Sequence, residues 1–215
     1  MPEKTQTLSA GVRPRAGHRE ILGETYAKIE FFENGWNPYT RFLDVDKVDM
    51  ILRRRHQDRP IYREVQVKYS KLFQLTSGKE SVHFDCTAWR FFGEDEFDAF
   101  LDHSDFYVVL ILAADTGYDG DIFIFPVRDF VRLLRLAIRS GGKRKVYISR
   151  SRHDQSKWYL RRVTKIAYIT PLSTEDVSCF RRNFTVLEPP WGLSTCSEPR
   201  DELTVSCQTA VARDR

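Results

Sequence analysis

The chain has 215 residues, of which 41% are hydrophobic, and a formal net charge of +4. This length and composition suit one sizeable hydrophobic core and leave little room for a second full domain. No apolar run reaches the roughly 18 residues that a membrane-spanning helix needs, and residues 1–17 lack the apolar stretch of a signal peptide, so we expect a cytoplasmic protein with no membrane partner.

The first half of the chain predicts a helix followed by several strands. Residues 1–17 mix Pro, Gly, Ser, Thr and charges without a period, which is typical of a disordered arm. The apolar positions of residues 18–34 recur with roughly helical spacing, and Gly35 suits the end of that helix. The next predicted elements are a strand pair at 36–42 and 47–52, a charged turn at 53–60 and a strand at 61–69.

The second half alternates predicted strands with two further helices. The elements expected there are strands at 82–88, 106–113 and 121–125, a short helix at about 94–102, a helix at 127–140 between Pro126 and Gly141-Gly142, hairpin strands at 143–151 and 157–170, and a last helix at about 173–183. From residue 188 onward, Pro, Ser, Thr and mixed charges suggest a flexible tail. We therefore expect a single domain at 18–187, with a core at about 20–130 and a basic helix-hairpin extension at about 126–170.

Charge is distributed unevenly along this domain. Residues 126–165 contain thirteen Lys or Arg against two acids, so the remainder of the chain is net acidic. A basic region beside an acidic one suggests one surface that meets a polyanion and another that holds carboxylates for a metal.

Three polar residues on neighbouring strands point to chemistry. Asp49 opens the apolar run Val48-Asp49-Met50-Ile51-Leu52, and Gln66 and Lys68 lie two apart on the following strand. Residues two apart on a strand leave by the same face, whereas Val65 and Val67 point the other way, into a core. Such a set of acid, amide and amine is a usual layout for a hydrolytic metal site that acts on phosphodiesters. Neither the four cysteines nor the five histidines show zinc-binding spacing, which disfavours a zinc enzyme.

The combination GE-(x10)-GW (from Gly23), VDMIL (from Val48) and EVQVK (from Glu64) resembles the PD-(D/E)XK nuclease superfamily. The resemblance is closest to its small homing-endonuclease and Holliday-junction-resolvase branches, and it covers about residues 20–130. In that superfamily a helical Glu precedes a Gly by a similar interval, an Asp opens the second strand and (Glu/Gln)-x-Lys lies on the third. The resemblance implies an α/β fold with a restriction-endonuclease-like core, in which helices flank a central mixed β-sheet.

The resemblance also implies a reaction. A Mg²⁺ ion, for which Mn²⁺ substitutes, would be held by Asp49, Gln66, Val67 and Glu24, and it would activate water for in-line attack on DNA. Lys68 would orient or help deprotonate that water and stabilise the transition-state charge. Gln66 replaces the commoner Glu and brings no negative charge, a deficit that Glu64 on the same strand face could offset.

Structural interpretations of the same residues remain open. Asp49 could cap a turn or pair with Lys47. Glu64 could be a solvated residue that pairs with Arg63 or with an edge lysine, and Lys68 could be a surface lysine at a strand edge with its stem on apolar neighbours. Glu24 could be an ordinary exposed helical residue, and Glu20, one turn earlier, shares its face and could be confused with it.

The basic region is the predicted DNA surface. We expect backbone contacts, which position a duplex without reading its sequence, from Arg128, Arg132, Arg135, Arg139, Lys143, Arg144, Lys145, Arg150, Arg152 and Lys157. The interleaved Tyr147, Trp158 and Tyr159 are more typical of packing than of base stacking. The sequence thus predicts a Mg²⁺-dependent endonuclease on double-stranded or branched DNA, with a homodimer plausible because two strands need two sites. A non-catalytic DNA-binding or assembly protein with a nuclease-like core is the rival, and an RNA-binding accessory factor is a third interpretation.

Overall fold

A computed structural model describes residues 16–40, 47–56, 59–162 and 174–189. In chain order its helices and strands are α1 (Ala16–Glu33), β1 (Asn37–Thr40), β2 (Met50–His56), β3 (Arg59–Gln74), β4 (Phe84–Gly93), β5 (Phe106–Ala114), β6 (Gly117–Pro126), α2 (Val127–Leu136), β7 (Ile138–Ser140), β8 (Lys143–Ser151), β9 (Trp158–Arg161) and β10 (Thr174–Asp176). Short 3-10 turns occur at Lys79–Val82, Asp98–Phe100, Ser178–Phe180 and Phe184–Leu187.

The strands described here join into one sheet. The order β1-β2-β3-β4-β8-β9-β10 forms its main path, while β5 joins β3 to β6 and β7 pairs with β8. The β3–β5 pair is parallel, and the other strand pairs in the described ranges are antiparallel. This arrangement confirms the predicted α/β fold with a central mixed sheet flanked by helices.

β3 connects the two halves of the sheet. Its 16 residues pair first with β2 and β5, and then, from Leu72 onward, with β4. The predicted strand at 61–69 is therefore present and extends further at both ends.

The sheet carries a hydrophobic core on each side. The α1 core packs Ala27 and Phe31 of α1 against Val65, Val67 and Val109. The α2 core lies on the opposite face and includes residues of α2 together with Leu72, Ala88, Val108, Leu110 and Phe125. β5 contributes alternate residues to both cores and is buried along almost its whole length. That position accounts for its continuous apolar sequence, because the side chains on both faces of the strand are buried in a hydrophobic core.

The predicted end of the first helix is confirmed. Gly35 adopts a φ of 80°, which a residue without Cβ reaches at little cost. The amide of Gly35 bonds to the carbonyl of Phe32, and the amide of Trp36 bonds to that of Phe31. These bonds satisfy carbonyls at the helix end and direct the buried Trp36 into the α1 core.

Two boundary predictions were wrong. The charged residues predicted as a turn at 53–60 belong instead to β2, which continues to His56, and to β3, which begins at Arg59; their polar side chains alternate onto the exposed side of a ribbon. The helix predicted at 127–140 ends at Leu136. Gly141 and Gly142, with φ of 57° and 73°, form the two-residue turn of the β7–β8 hairpin and do not terminate a helix.

Two predicted helices are absent from the described residues at their positions. The segment at 94–102 consists of turns and a 3-10 turn around the buried Phe97. At 174–176 the chain forms β10, which pairs with β9, and the Asp176 carboxylate then accepts the amide of Ser178, 2.8 Å away. The predicted arm up to residue 15, the second part of the 157–170 strand and the tail from 190 lie outside the described residues.

Neither α1 nor α2, the two helices in the described ranges, is long and apolar enough to cross a membrane.

Candidate metal and phosphodiester site

Asp49 lies where β2 separates from β3. The regular pairing of these strands reaches Met50 opposite Val65, and the Asp49 amide then donates to the carbonyl of Val65 at 2.9 Å. The carboxylate of Asp49 accepts the next amide that β3 presents on this side, that of Val67, at 2.6 Å. Asp49 thus does cap a strand edge, and this bond holds its carboxylate beside Val67.

Gln66 and Lys68 leave β3 by the same face, as the period of two predicts. They stand opposite Val108 and Leu110 of β5, which both belong to the α2 core. Asp49 precedes β2, between Val48, which is buried in the α2 core, and Met50, which is buried in the α1 core. Its carboxylate is placed by the bond to the Val67 amide. The structure therefore brings the Asp49 carboxylate to the backbone of Val67, between the two residues whose side chains share one face of β3.

Gln66 is buried and incompletely bonded. Only 4% of its surface is exposed, and its side-chain oxygen Oε1 has no hydrogen-bond partner among the described residues. A buried polar oxygen without a partner carries a desolvation cost, so natural proteins usually supply one, often a water or an ion. The Gln66 oxygen is thus suited to accept a ligand from outside the chain.

Lys68 contacts an acid that the sequence patterns did not identify. Its Nζ lies 3.5 Å from Oε1 of Glu96, and both side chains are about four-fifths buried. Glu96 is held in the turn after β4, because its Oε2 accepts the amide of Gly93 at 3.0 Å and its carbonyl accepts Nζ of Lys47 at 3.3 Å. In the sequence, Glu96 is marked only as part of the acidic run Glu94-Asp95-Glu96 after Gly93. Nothing in the spacing of this run predicts a contact with Lys68.

The donor atoms of this site fit a hard divalent cation such as Mg²⁺. Within the described residues no group of three or more His, Cys, Asp or Glu could hold a metal ion. The candidate ligands are the Asp49 carboxylate, the orphaned Gln66 oxygen and the carbonyl of Val67, which leaves the strand on the same side as the amide that Asp49 binds. Mg²⁺ retains several waters and is commonly bound through one or two carboxylates, so this all-oxygen set matches its chemistry.

The predicted helical acids occupy a different part of the fold. α1 packs against the face of β3 that carries Val65 and Val67, with Gly23 in contact with Tyr69, and this face is opposite to that of Gln66 and Lys68. Glu24 on α1 forms an ion pair with Lys28 at 3.8 Å, and Glu20, one turn earlier, is exposed. The participation of either acid in the site stays a prediction.

Glu64 shares the strand face of Gln66 and lines an adjoining surface pocket of about 440 Å³. The other lining residues are Ile51, Tyr62, Asp102, His103, Ser104 and Asp105. Arg63, the next residue towards the start of β3, binds Asp105 at 2.5 Å and the carbonyl of Leu187 at 2.8 Å. Glu64 therefore borders an open cleft beside the candidate site.

The predicted basic surface is largely neutralised by acids from distant segments. Six of its ten residues form ion pairs: Arg132 with Glu175, Arg135 with Asp98, Arg139 and Arg144 with Glu94, Arg150 with Asp85, and Lys157 with Asp176. Arg128 and Arg152 instead donate to the carbonyls of Leu101 and Leu75. Among the described residues, Lys143 and Lys145 have no carboxylate within ion-pair distance.

The exposed side of α2 is nonetheless adjacent to the site. Arg128 and Arg135 contact Leu101 and Asp98, and both belong to the same 94–105 segment that supplies Glu96 to Lys68. These contacts connect the exposed side of α2 to the segment that holds Glu96 beside Lys68.

The chain was compared with known proteins. No protein-family profile and no curated protein matches it. Among solved structures, it is similar to that of a bacterial homing endonuclease, I-Ssp6803I, with 13% sequence identity and a TM-score of 0.34. The alignment covers 61% of this chain and 75% of the other, and a similarity this low carries no conclusion about activity.

Proposed function

We propose that this chain is a metal-dependent DNA endonuclease with a restriction-endonuclease-like core. The observation that supports the proposal is the bond between the Asp49 carboxylate and the Val67 amide, because Val67 lies between Gln66 and Lys68, whose side chains share one face of β3. An acid and an amide oxygen for a hard cation, with an ammonium beside them, are what hydrolysis of a phosphodiester requires.

The residues divide the task as follows. Asp49, Gln66 and the Val67 carbonyl would hold Mg²⁺, or Mn²⁺ in its place, and when bound the cation would polarise a phosphate oxygen and an attacking water. Lys68 would donate hydrogen bonds to that water or to a phosphate oxygen and stabilise the negative charge of the transition state. In-line attack of the water oxygen would form one P–O bond as the bond to the departing sugar oxygen breaks. The attacking water would lose a proton to solvent, and the departing oxygen would take a proton from solvent to leave as a hydroxyl.

Glu96 would act as a positioning residue in this scheme. An ammonium on a four-carbon stem has many rotamers, and the contact with the Glu96 carboxylate restricts them. Because Glu96 is itself anchored by the Gly93 amide, Lys68 is held by a rigid turn.

DNA is the proposed substrate because α2 presents several exposed arginines, and arginine is well suited to bind phosphate. Arg128, Arg132 and Arg135 are exposed on α2, and Arg135 contacts the segment that holds Glu96. Cutting both strands of a duplex would require two copies of the site, so the proposed active form on a duplex is a homodimer.

A second candidate is a DNA-binding protein that does not cleave. The neutral Gln66 and the absence of a three-acid cluster in the described ranges favour it, since both reduce the negative charge available to a cation. The two candidates differ in cleavage and agree in DNA binding.

The decisive experiment incubates supercoiled and branched DNA with the protein and Mg²⁺ or Mn²⁺, and compares three variants. Asp49→Asn removes a charge but keeps an oxygen for the Val67 amide, Lys68→Ala removes the amine, and Lys71→Ala is the matched control on the opposite face of β3. We expect metal-dependent cleavage by the wild type and Lys71→Ala, and its loss in the other two. Wild-type activity of folded Asp49→Asn, or cleavage in the presence of EDTA, would refute the proposed site; DNA binding without any cleavage would favour the second candidate.

A further inference from the structure

An aromatic surface lies on the side of the sheet opposite to the α2 core. Phe73, Trp89 and Phe91 are 38%, 41% and 41% exposed, whereas their chain neighbours Leu72, Ala88 and Phe92 point to the other face and are buried. In the register of the strands, Trp89 stands opposite Tyr147 and Phe91 opposite Lys145. We call Phe73, Trp89, Phe91, Tyr147 and Lys145 the aromatic face.

Lys145 lies at the centre of this face. Its Nζ is 4.3 Å from the ring centre of Trp89, 4.6 Å from that of Tyr147 and 5.4 Å from that of Phe91. No carboxylate among the described residues lies within 4 Å of this ammonium, in contrast to most lysines and arginines of the same region. The face therefore combines three rings with an uncompensated positive charge.

The aromatic face continues a surface that is covered elsewhere. Val65, Val67 and Tyr69 of β3 lie under α1, whereas Phe73, further along the same side of the strand, is exposed. Exposed aromatic residues that lie together on a sheet are uncommon on surfaces without a binding role. Here α1 covers the part of this face formed by Val65, Val67 and Tyr69, but not the part that carries the rings of β4 and β8.

The charge of the face selects the class of occupant. The bases of a single-stranded nucleic acid stack on aromatic side chains, and its phosphates bind cationic side chains. Single strands therefore bind to surfaces that carry both aromatic rings and positive charge. Lys145 at the centre and the exposed Lys143, two residues before it on β8, supply positive charge at that spacing. An apolar peptide would need no cation here, and a duplex would keep its bases inside the helix.

We propose that the aromatic face binds single-stranded nucleic acid, with bases against Trp89 and Phe91 and a phosphate at Lys145. The face is separate from the candidate cleavage site, because Gln66 and Lys68 point to the opposite side of β3. Its binding therefore requires neither metal nor cleavage.

The test measures fluorescence anisotropy of a labelled oligothymidine and of a duplex in EDTA, so that no cleavage intervenes. Trp89→Ala and Phe91→Ala should each weaken single-strand binding about tenfold, which is within the range found for one base–aromatic stack. Trp89→Phe should restore most of the affinity, because it returns a ring. Phe32→Ala, which removes an exposed ring from α1, is the matched control and should bind like the wild type.

A second measurement does not depend on the alanine variants folding. Stacking on Trp89 should quench part of the tryptophan fluorescence when oligothymidine is added, and Trp89→Phe should abolish that part. Unchanged affinity in folded Trp89→Ala and Phe91→Ala would overturn the proposal. Absence of Trp89 quenching at saturating oligonucleotide, or binding of anionic vesicles in preference to oligonucleotide, would do so as well.

Discussion

The carboxylate of Asp49 accepts a hydrogen bond from the backbone amide of Val67 at 2.6 Å, and so ties the end of β2 to the residue between Gln66 and Lys68. One side chain thus completes the backbone bonding of β3 and places a negative charge beside two polar residues of the candidate site. The structural and the catalytic interpretations of Asp49 are compatible, because a carboxylate oxygen can accept a hydrogen bond and still offer a lone pair to a cation.

Replacing Gln66 by Glu should strengthen Mg²⁺ binding and weaken the metal-free protein. The new carboxylate would be a charged ligand, but at a position that is 96% buried its desolvation would destabilise the folded protein without the cation. We expect a lower Tm than wild type in EDTA and a larger rise of Tm on addition of Mg²⁺, because a ligand that binds only the folded state stabilises it.

The control for this variant is Gln74→Glu, which lies on the same strand but is exposed. Gln74→Glu should change neither the Tm in EDTA nor the rise of Tm on addition of Mg²⁺. Weaker Mg²⁺ binding by Gln66→Glu in calorimetry would show that this side chain is not a ligand.

Replacing Glu96 by Gln should lower the rate of cleavage while leaving DNA affinity unchanged. Lys68 would lose the charge that restricts its rotamers, and a misplacement of about 1 Å can cost about a hundredfold in rate. We expect a fall in kcat with little change in KM, measured on a nicked-circle assay.

Glu94→Gln is the matched variant, because Glu94 belongs to the same turn and binds Arg139 and Arg144 instead of Lys68. Its cleavage rate should stay near that of the wild type. Equal losses in both variants would assign the effect to the turn and not to the Lys68 contact.

Removing two arginines of α2 should reduce the salt dependence of DNA binding. If Arg132 and Arg135 contact phosphates, the double variant Arg132→Ala/Arg135→Ala should bind all duplexes more weakly and lose about 0.9 from the log-log salt slope for each lost contact. Both side chains are more than half exposed, so release from Glu175 and Asp98 is inexpensive.

Arg19→Ala on α1 is the control and should leave the slope unchanged. A slope in the double variant equal to that of the wild type would mean that these arginines serve only their ion pairs.

Cys86 should resist alkylation in the folded protein. Burial raises the pKa of its thiol to about 12, the neighbouring Asp85 contributes to the rise, and the side chain is fully inaccessible. Only the thiolate reacts, so at pH 8 iodoacetamide should label Cys86 at least about a hundredfold more slowly than the exposed Cys179. Peptide mass spectrometry can measure the labelling of the two cysteines separately, and unfolding in urea should make their labelling rates equal. Comparable labelling rates in the folded protein would contradict the buried position of Cys86.

The sequence was informative wherever a local period or a single residue determines the structure. The shared face of Gln66 and Lys68 follows from the alternation of any strand, the apolar run of β5 indicates burial on both sides, and Gly35 marks the end of α1. Each of these features depends on residues close together in the chain.

The features that escaped prediction depend on distant pairing. Glu96 reaches Lys68 because β4 folds back across β3, and Gly141 and Gly142 become a hairpin turn because β7 pairs with β8. Similarly, part of the positive charge of the 126–165 region is compensated by ion pairs with Glu94, Asp98 and Glu175, which lie in other parts of the chain. Contacts between such distant residues cannot be predicted from a local period in the sequence.

The parallel pairing of β3 with β5 has a consequence for how the protein is made. β5 follows β3 only after β4 and the 94–105 segment, so this pair must close a long loop before its contacts form, and such closures slow folding. During synthesis, Asp49, Gln66 and Lys68 emerge well before residues 106–114. Until those residues arrive, β3 presents an unpaired edge and the amide of Gln66 remains in water. The candidate site is therefore assembled late, and a nascent chain stalled before β5 would expose an aggregation-prone strand.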